Sequence, residues 1–363
     1  MTESRIRGQV RVVGTGLLGA SIGHGLTARG VDVTLADSSR ANLRLAIDYG
    51  AGRGASGSDS PALIVVAVPP DATAEVVAAE LAAWPTAIVT DVASVKSSVL
   101  TELIATGADV SRYVGSHPLA GRERGGAISA RADLFIGRPW VVATHEKSST
   151  ANRRMIEDLV LDLGAVPVTM AATEHDESVA LISHVPQVVA SVLARRLGDA
   201  TEQAIGLTGQ GLRDTTRIAS SDPELWVQIL GANAAYVADI LHDYRADLDR
   251  VLAALDDPEA PGARREIAEI LAGGNSGVAR IPGKHGQERH FSQLVVMVAD
   301  KPGELARLLT EIGEAGVNME DLRLEHSPGA QIGLAEISVV PEAEDRLVRE
   351  LESRGWKIAG TFA

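Results

Sequence analysis

An α/β chain in three parts is predicted here by three observations. Val- and Ile-rich runs alternate with helical patterns through the first half. The middle is helical throughout, and after a glycine-rich break a short strand–helix–strand–strand–helix–strand pattern restarts. The predicted parts are residues 6–171, 172–284 and 291–363, with 285–290 ending the linker. A chain of 363 residues is too long for one ordinary core. Hydrophobic residues make up 45% but aromatics only 3%, so the cores must be built from Ala, Val, Leu and Ile. A formal charge of −14 disfavours nucleic acid and anionic membrane as partners. The absence of cysteine excludes disulfides, thiolate metal sites and a cysteine nucleophile. The N-terminus has no apolar signal region, and no apolar run approaches the ~20 residues that span a bilayer. The chain therefore reads as soluble and cytoplasmic.

In the first part, Gln9-Val-Arg-Val-Val13 reads as a buried strand and Gly14-Thr-Gly-Leu-Leu-Gly19 follows directly. A helical pattern leads to Gly30, and a second strand, Val31-Asp-Val-Thr-Leu35, ends at Asp37. Strand, glycine turn, helix, strand and acid in this order form a dinucleotide-binding fingerprint of the Rossmann type. Gly14 makes the tight turn, Gly16 lets the pyrophosphate approach, and Gly19 lets helix and strand pack. Thr15, Leu17 and Leu18 complete the loop at the helix N-terminus, where phosphate binds. Asp37 suits the ribose hydroxyls and repels a 2′-phosphate, which points to NAD rather than NADP.

Three further strands run into loops that a doubly wound sheet gathers at one edge: Val68-Pro69-Pro70, Ser94, and a loop carrying His117. Histidine is the side chain most easily poised near neutral pH, so His117 is the candidate base. Ser94 either hydrogen-bonds the nicotinamide, the substrate or His117, or it caps the following helix. A last strand over 164–170 is expected to close this domain.

From Ala172 the pattern is helical, with a bend expected at Pro186. Arg213 and Arg217 are four residues apart and share a helical face; they form an exposed basic face, pair with Asp214, or await an anion. The helix from Glu224 onward carries Val237, Leu241, Tyr244, Leu248, Val251 and Leu255 at alternating steps of four and three. That seam suits pairing with another helix and points to a homodimer interface. The nine histidines offer no convincing metal-ligand spacing, so no metal is expected. Residues 272–287 read as the linker. The tail, with a turn at Asp300-Lys-Pro-Gly303, reads as a ferredoxin-like βαββαβ unit without a catalytic cluster.

Taken together, Gly14-Thr-Gly-Leu-Leu-Gly-Ala-Ser-Ile22, Asp91-Val-Ala-Ser-Val-Lys96, Ser116-His-Pro-Leu-Ala-Gly121, Ile182-Ser-His-Val-Pro186 and Arg213-Asp-Thr-Thr-Arg-Ile-Ala219 with Trp226 resemble the prephenate/arogenate dehydrogenase family over residues 8–285. The tail resembles an ACT domain. The resemblance implies an NAD-dependent oxidative decarboxylation of prephenate in tyrosine biosynthesis, with arogenate as the alternative substrate and tyrosine as a feedback effector. It implies His117 as hydrogen-bond acceptor or base and Ser94 as its orienting partner and a nicotinamide contact. Arg217 would bind a substrate carboxylate, Arg213 and Asp214 would support it, and His184 and Trp226 would line the pocket. Gln187 and Arg122 depart from the family pattern and bear on the choice between a keto acid and an amino acid. Two other classes stay open: a β-hydroxyacid dehydrogenase, which would use a lysine of the helical part, and a non-catalytic regulator that senses NAD and an amino acid.

Overall fold

Short β-branched runs bounded by glycine and polar turns become parallel strands buried on both faces. A computed structural model describes residues 4–121, 125–281, 291–326 and 332–362. Strands β1 (Gln9–Val13), β2 (Val33–Ala36), β3 (Arg53–Gly54), β4 (Pro61–Val66) and β5 (Ile88–Asp91) form a parallel sheet in the order β3-β2-β1-β4-β5. The chain winds outward from β1 in both directions, so β1 and β4 flank the switch point, where the loops after the strands part to admit a ligand.

An isolated parallel bridge, Val89 to Tyr113, leads to a second sheet of β6 (Gly115–Pro118), β7 (Pro139–Thr144) and β8 (Val166–Ala171). The strand expected over 164–170 is β8. Strand β7 is one that the sequence analysis does not single out. Proline is tolerated at the first position of a strand, which is where Pro139 stands. His117, expected in a loop, lies on β6 opposite Val141, and this ladder fixes its backbone.

The next helices are Ala172–Val179 and Val185–Arg195, joined by a π-turn over Ala180–His184. Pro186 has no N–H to donate to residue 182, so the ladder slips to a wider turn just ahead of it. The bend expected at Pro186 takes this form. The helical run Ala172–Asp199 is long and apolar enough to cross a bilayer, which corrects the expectation that no segment is. Scanning for uninterrupted apolar residues overlooked it, because Gln187 and Ser191 punctuate the run. Its buried His175, Asp176 and His184 all bond to protein groups, as in a core helix.

The long helix expected from Glu224 is two helices, Pro223–Ala232 and Ala234–Asp256, broken at the buried Asn233. Of the expected seam, Val237 and Leu241 pack with Ala180 and Val185, whereas Tyr244, Leu248 and Leu255 are exposed on the single chain. Residues 272–277, expected as linker, are instead the last turns of the helix Ala263–Val278. The glycines there each cost about 1 kcal/mol, and a helix begun upstream overrides them. Residues 282–290, which hold the rest of the expected linker, lie outside the described residues.

Two compact units result: Met1–Leu193 with Ile218–Asp243, and Ala194–Arg217 with Tyr244–Ala363. Within the second, β9 (Ser292–Ala299), β10 (Met319–His326), β11 (Ile332–Val339) and β12 (Lys357–Phe362) pair antiparallel in the order β10-β11-β9-β12. The helices Glu304–Glu314 and Pro341–Ser353 cover them through Leu308, Ile312, Leu347 and Leu351. This is the βαββαβ arrangement the tail predicts.

Candidate active site

The loop after β1 is shaped by contacts that only glycine permits. Gly14 has φ +94°, and a Cβ there would lie 2.3 Å from the Ala67 carbonyl oxygen. A Cβ on Gly19 would lie 1.9 Å from the Gly14 oxygen, so helix and loop touch backbone to backbone. At Gly16, by contrast, a Cβ would meet nothing within 4 Å, and the helix Leu17–Thr27 begins there without a side-chain cap. Its first N–H groups, next to Thr15, Leu17 and Leu18, therefore stay open for an anion. Asp37 directly follows β2 and turns its carboxylate to this loop, accepting from the Thr15 N–H and hydroxyl, both at 2.7 Å, and from the Ser39 N–H at 2.8 Å. Val68 closes the other side against Gly14, while Pro69 and Pro70 start the helix Pro70–Ala83. An open helix N-terminus, an unfilled face at Gly16 and a carboxylate at the strand end fit a dinucleotide.

His117 stands at the edge of a buried polar chain. Its Nδ1 is 2.9 Å from Nε2 of His175, with the rings edge-on. His175 Nδ1 is 2.7 Å from Asp176 Oδ1. The same carboxylate accepts the N–H groups of Lys96 and Ser97, each at 2.8 Å. It thereby caps the helix Ser97–Ala105 from 80 residues away, a task the sequence reading offered to Ser94. Lys96 in turn donates from Nζ to Asp91 and, at 2.8 Å, to the carbonyl of Ser116, the residue before His117. Asp91 also accepts from the Tyr113 hydroxyl at 2.6 Å and the Ala93 N–H at 2.8 Å. Lys96 is 1% and Asp91 0% exposed, so this ion pair is fully desolvated. Gly115 is needed beside it, since a Cβ there would come within 2.9 Å of the Tyr113 hydroxyl.

Electrostatics follow from burial. His117 is held well below the ordinary imidazole range by burial first, then by His175, Lys96 and His184. It is therefore neutral at neutral pH and able to accept a proton. His184 is lowered to about 4, chiefly by burial. Burial pushes the Asp176 carboxyl up, but the bonds from His175, Ser97 and Lys96 outweigh it and hold it below the usual range.

Other predicted residues are placed as follows. Ser94 is half-buried in the turn after β5 and makes no side-chain hydrogen bond among the described residues; the partner of His117 is His175. His184 and Trp226 meet edge-to-face at 5.9 Å, and Asn233 donates to His184 Nδ1 at 3.0 Å. Gln187 is buried, with its amide 3.3 Å from the Ser191 hydroxyl and its oxygen accepting from Ser221 at 3.4 Å. Arg213 and Arg217 belong to the second unit, both are exposed, and neither forms an ion pair among the described residues. Asp214 accepts from Gln210 at 2.7 Å instead of pairing with either. Arg122 lies outside the described residues. Sequence reasoning missed His175, Asp176, Asn233 and the structural use of Lys96. Only Lys96 stood in a motif already singled out.

The first two thirds of the chain match the family descriptions "Prephenate dehydrogenase, nucleotide-binding domain" over residues 22–169 and "Prephenate dehydrogenase, dimerization domain" over residues 171–272. The chain is 36% identical to "Probable prephenate dehydrogenase NovF" of Streptomyces niveus, across 95% of this chain and 98% of that one. It belongs to the prephenate dehydrogenase family. Accordingly it is an NAD-dependent oxidoreductase. Among solved structures, arogenate dehydrogenase of Synechocystis superposes with a TM-score of 0.61 at 26% identity, covering 74% of this chain and 99% of that one. Prephenate dehydrogenase of A. aeolicus, in complex with hydroxyphenyl propionate and NAD+, shares the fold at a TM-score of 0.66 and 24% identity, covering 76% and 99%.

The depressed histidines make stability depend on pH. Below 6.5 the unfolded chain takes up protons that native His184 refuses until about 4, so stability is lost as pH falls through that window. The Tm of the unmodified protein should therefore drop more steeply between these pH values than that of His184→Asn. Parallel slopes would show that His184 is protonated as easily in the fold as in the unfolded chain.

Proposed function

We propose that this chain converts prephenate to 4-hydroxyphenylpyruvate by NAD-dependent oxidative decarboxylation, a step of tyrosine biosynthesis. The observation that carries the reading is His117: neutral, clamped on β6, and bonded through Nδ1 so that Nε2 has no protein partner among the described residues. NAD+ held by the glycine loop after β1 and Asp37 would supply the acceptor for the hydride that leaves C4. His117 takes the proton of the C4 hydroxyl at Nε2, a role worth about 10²–10⁴-fold. Ser94 orients the reacting groups, while His184 and Trp226 line the pocket. Arg217 offers its planar fork to a substrate carboxylate, with Arg213 in support; both are free of ion pairs among the described residues, as groups awaiting an anion should be.

Arogenate is the second reading, favoured by the likeness to the Synechocystis arogenate dehydrogenase; Gln187, with a neutral amide, suits an amino acid as readily as a keto acid. A β-hydroxyacid dehydrogenase needs a lysine on its helices, and residues 172–283 contain none. The exposed Tyr244, Leu248, Leu252 and Leu255 support a homodimer that buries them. For the tail we read an ACT domain, on its strand order and its Asp300-Lys-Pro-Gly303 turn, with tyrosine as the effector.

Initial rates of NADH formation with prephenate and with arogenate, side by side, test the reading. Turnover of prephenate that collapses in His117→Asn with NAD affinity intact is the expected result. Silence with both substrates would refute it. In Arg217→Ala the loss should fall mainly on KM, by the equivalent of about 2–5 kcal/mol, and an unchanged KM would remove the carboxylate role. Added tyrosine should inhibit the full chain but not a chain ending at residue 290. Inhibition that persists in the truncated chain would place tyrosine in the active site.

A further inference from the structure

Building on the reading of His117 as the base, we propose that His175 and Asp176 are positioning residues that fix the His117 tautomer and hold the substrate's hydroxyl proton during turnover. The chain of hydrogen bonds leaves one arrangement of protons. Asp176 accepts two backbone N–H groups and is a carboxylate, so His175 Nδ1 must carry the proton in their 2.7 Å bond. His175 Nε2 is then the lone pair, and His117 Nδ1 must donate across 2.9 Å. His117 Nε2 is left as a lone pair, the form a base needs. A carboxylate that sets an imidazole tautomer is the logic of the Ser-His-Asp triad, extended here by one ring.

The same geometry carries a proton. When the substrate O–H breaks, the oxygen keeps the electron pair as its bond to C4 becomes a carbonyl, and N–H forms at His117 Nε2. The Nδ1 proton of His117 then passes to His175 Nε2, which leaves His117 neutral and the positive charge on His175 against Asp176. Loss of CO₂ returns an electron pair to the ring and makes the oxygen a phenolate, which takes the proton back along the same path. Oxidative decarboxylation of prephenate releases no net proton, so a relay that holds one and returns it fits the stoichiometry.

Charge balance supports the assignment. The titratable groups of the buried network to which His175 belongs are Asp91, Lys96, Tyr113, His117, Asp176 and His184. With the imidazoles neutral and Tyr113 protonated, two carboxylates face one ammonium, and the buried cluster carries one negative charge. A single proton on His175 neutralises it. Lys96 cannot substitute for that proton, because its ammonium is already directed at Asp91 and the Ser116 carbonyl.

Two variants test the relay. His175→Gln keeps an oxygen that can accept from His117 Nδ1 but cannot carry a proton. It should lose about 10²-fold or more in kcat, with KM and NAD affinity within about twofold of the unmodified enzyme. Asp176→Asn removes the charge and should show the same kcat loss, with the acid limb of the kcat/KM profile moved to lower pH. Should Asp176→Asn fail to fold, because that carboxylate caps a helix, His175→Gln decides alone. A fully active His175→Gln beside an inactive His117→Asn overturns the relay and leaves the base assignment standing. An active His117→Asn overturns the base assignment on which the relay rests.

Discussion

Asp176 joins three things that are distant in sequence: the N-terminus of the helix Ser97–Ala105, the buried His175, and through it the edge of the second sheet. An isolated buried carboxylate is too costly to keep ionised, and here it is stabilised by two backbone N–H groups at a helix N-terminus and by an imidazole. The arrangement is mutual. The helix lacks a capping side chain of its own, so the carboxylate satisfies orphan N–H groups while they hold it charged. Removing either side leaves the other unpaired in a dry interior, which makes the docking of the helix Ala172–Val179 against the nucleotide sheet specific as well as stable.

Lys96 and Asp91 extend the same principle toward the reacting edge. A buried ion pair contributes little net stability relative to well-packed apolar side chains. What it supplies here is direction, because Lys96 also binds the Ser116 carbonyl and so ties the turn after β5 to the backbone beside His117. Tyr113 completes the shell of Asp91, and Gly115 leaves room for it. The base is thus fixed from two sides: the β6–β7 ladder holds its backbone and the His175 ring holds its side chain.

The legible parts of this molecule are those whose physics is local. The glycine loop, its helix and Asp37 lie within one strand–helix–strand unit, and Gly14 and Gly19 are required by contacts formed within or next to that unit. The strand pattern of the tail is equally local. His117 was legible as a chemical type but not as a strand residue, because the ladder that extends it comes from β7, which opens on a proline. His175 and Asp176 were not legible, since their partners lie 58 and 80 residues away. An adjacent His-Asp pair on a helix looks like surface until the fold buries it. Glycines at 273, 274 and 277 misled in the other direction, because composition suggested a linker where helix propagation prevailed.

The π-turn before Pro186 and the break at Asn233 belong to one constraint. A regular helix through residues 180–184 would present a different face at His184. The wider turn holds His184 inside, 1% exposed, where Asn233 reaches its Nδ1. Asn233 stands at the break between the two helices, and the same side-chain amide also donates to the backbone carbonyl of Asp176. Two local irregularities therefore meet at one amide and fix His184 and Asp176 relative to each other. Backbone irregularity of this kind persists where surrounding bonds over-determine it, and such places cluster at active sites. Here those bonds lead to the ring that supports His117.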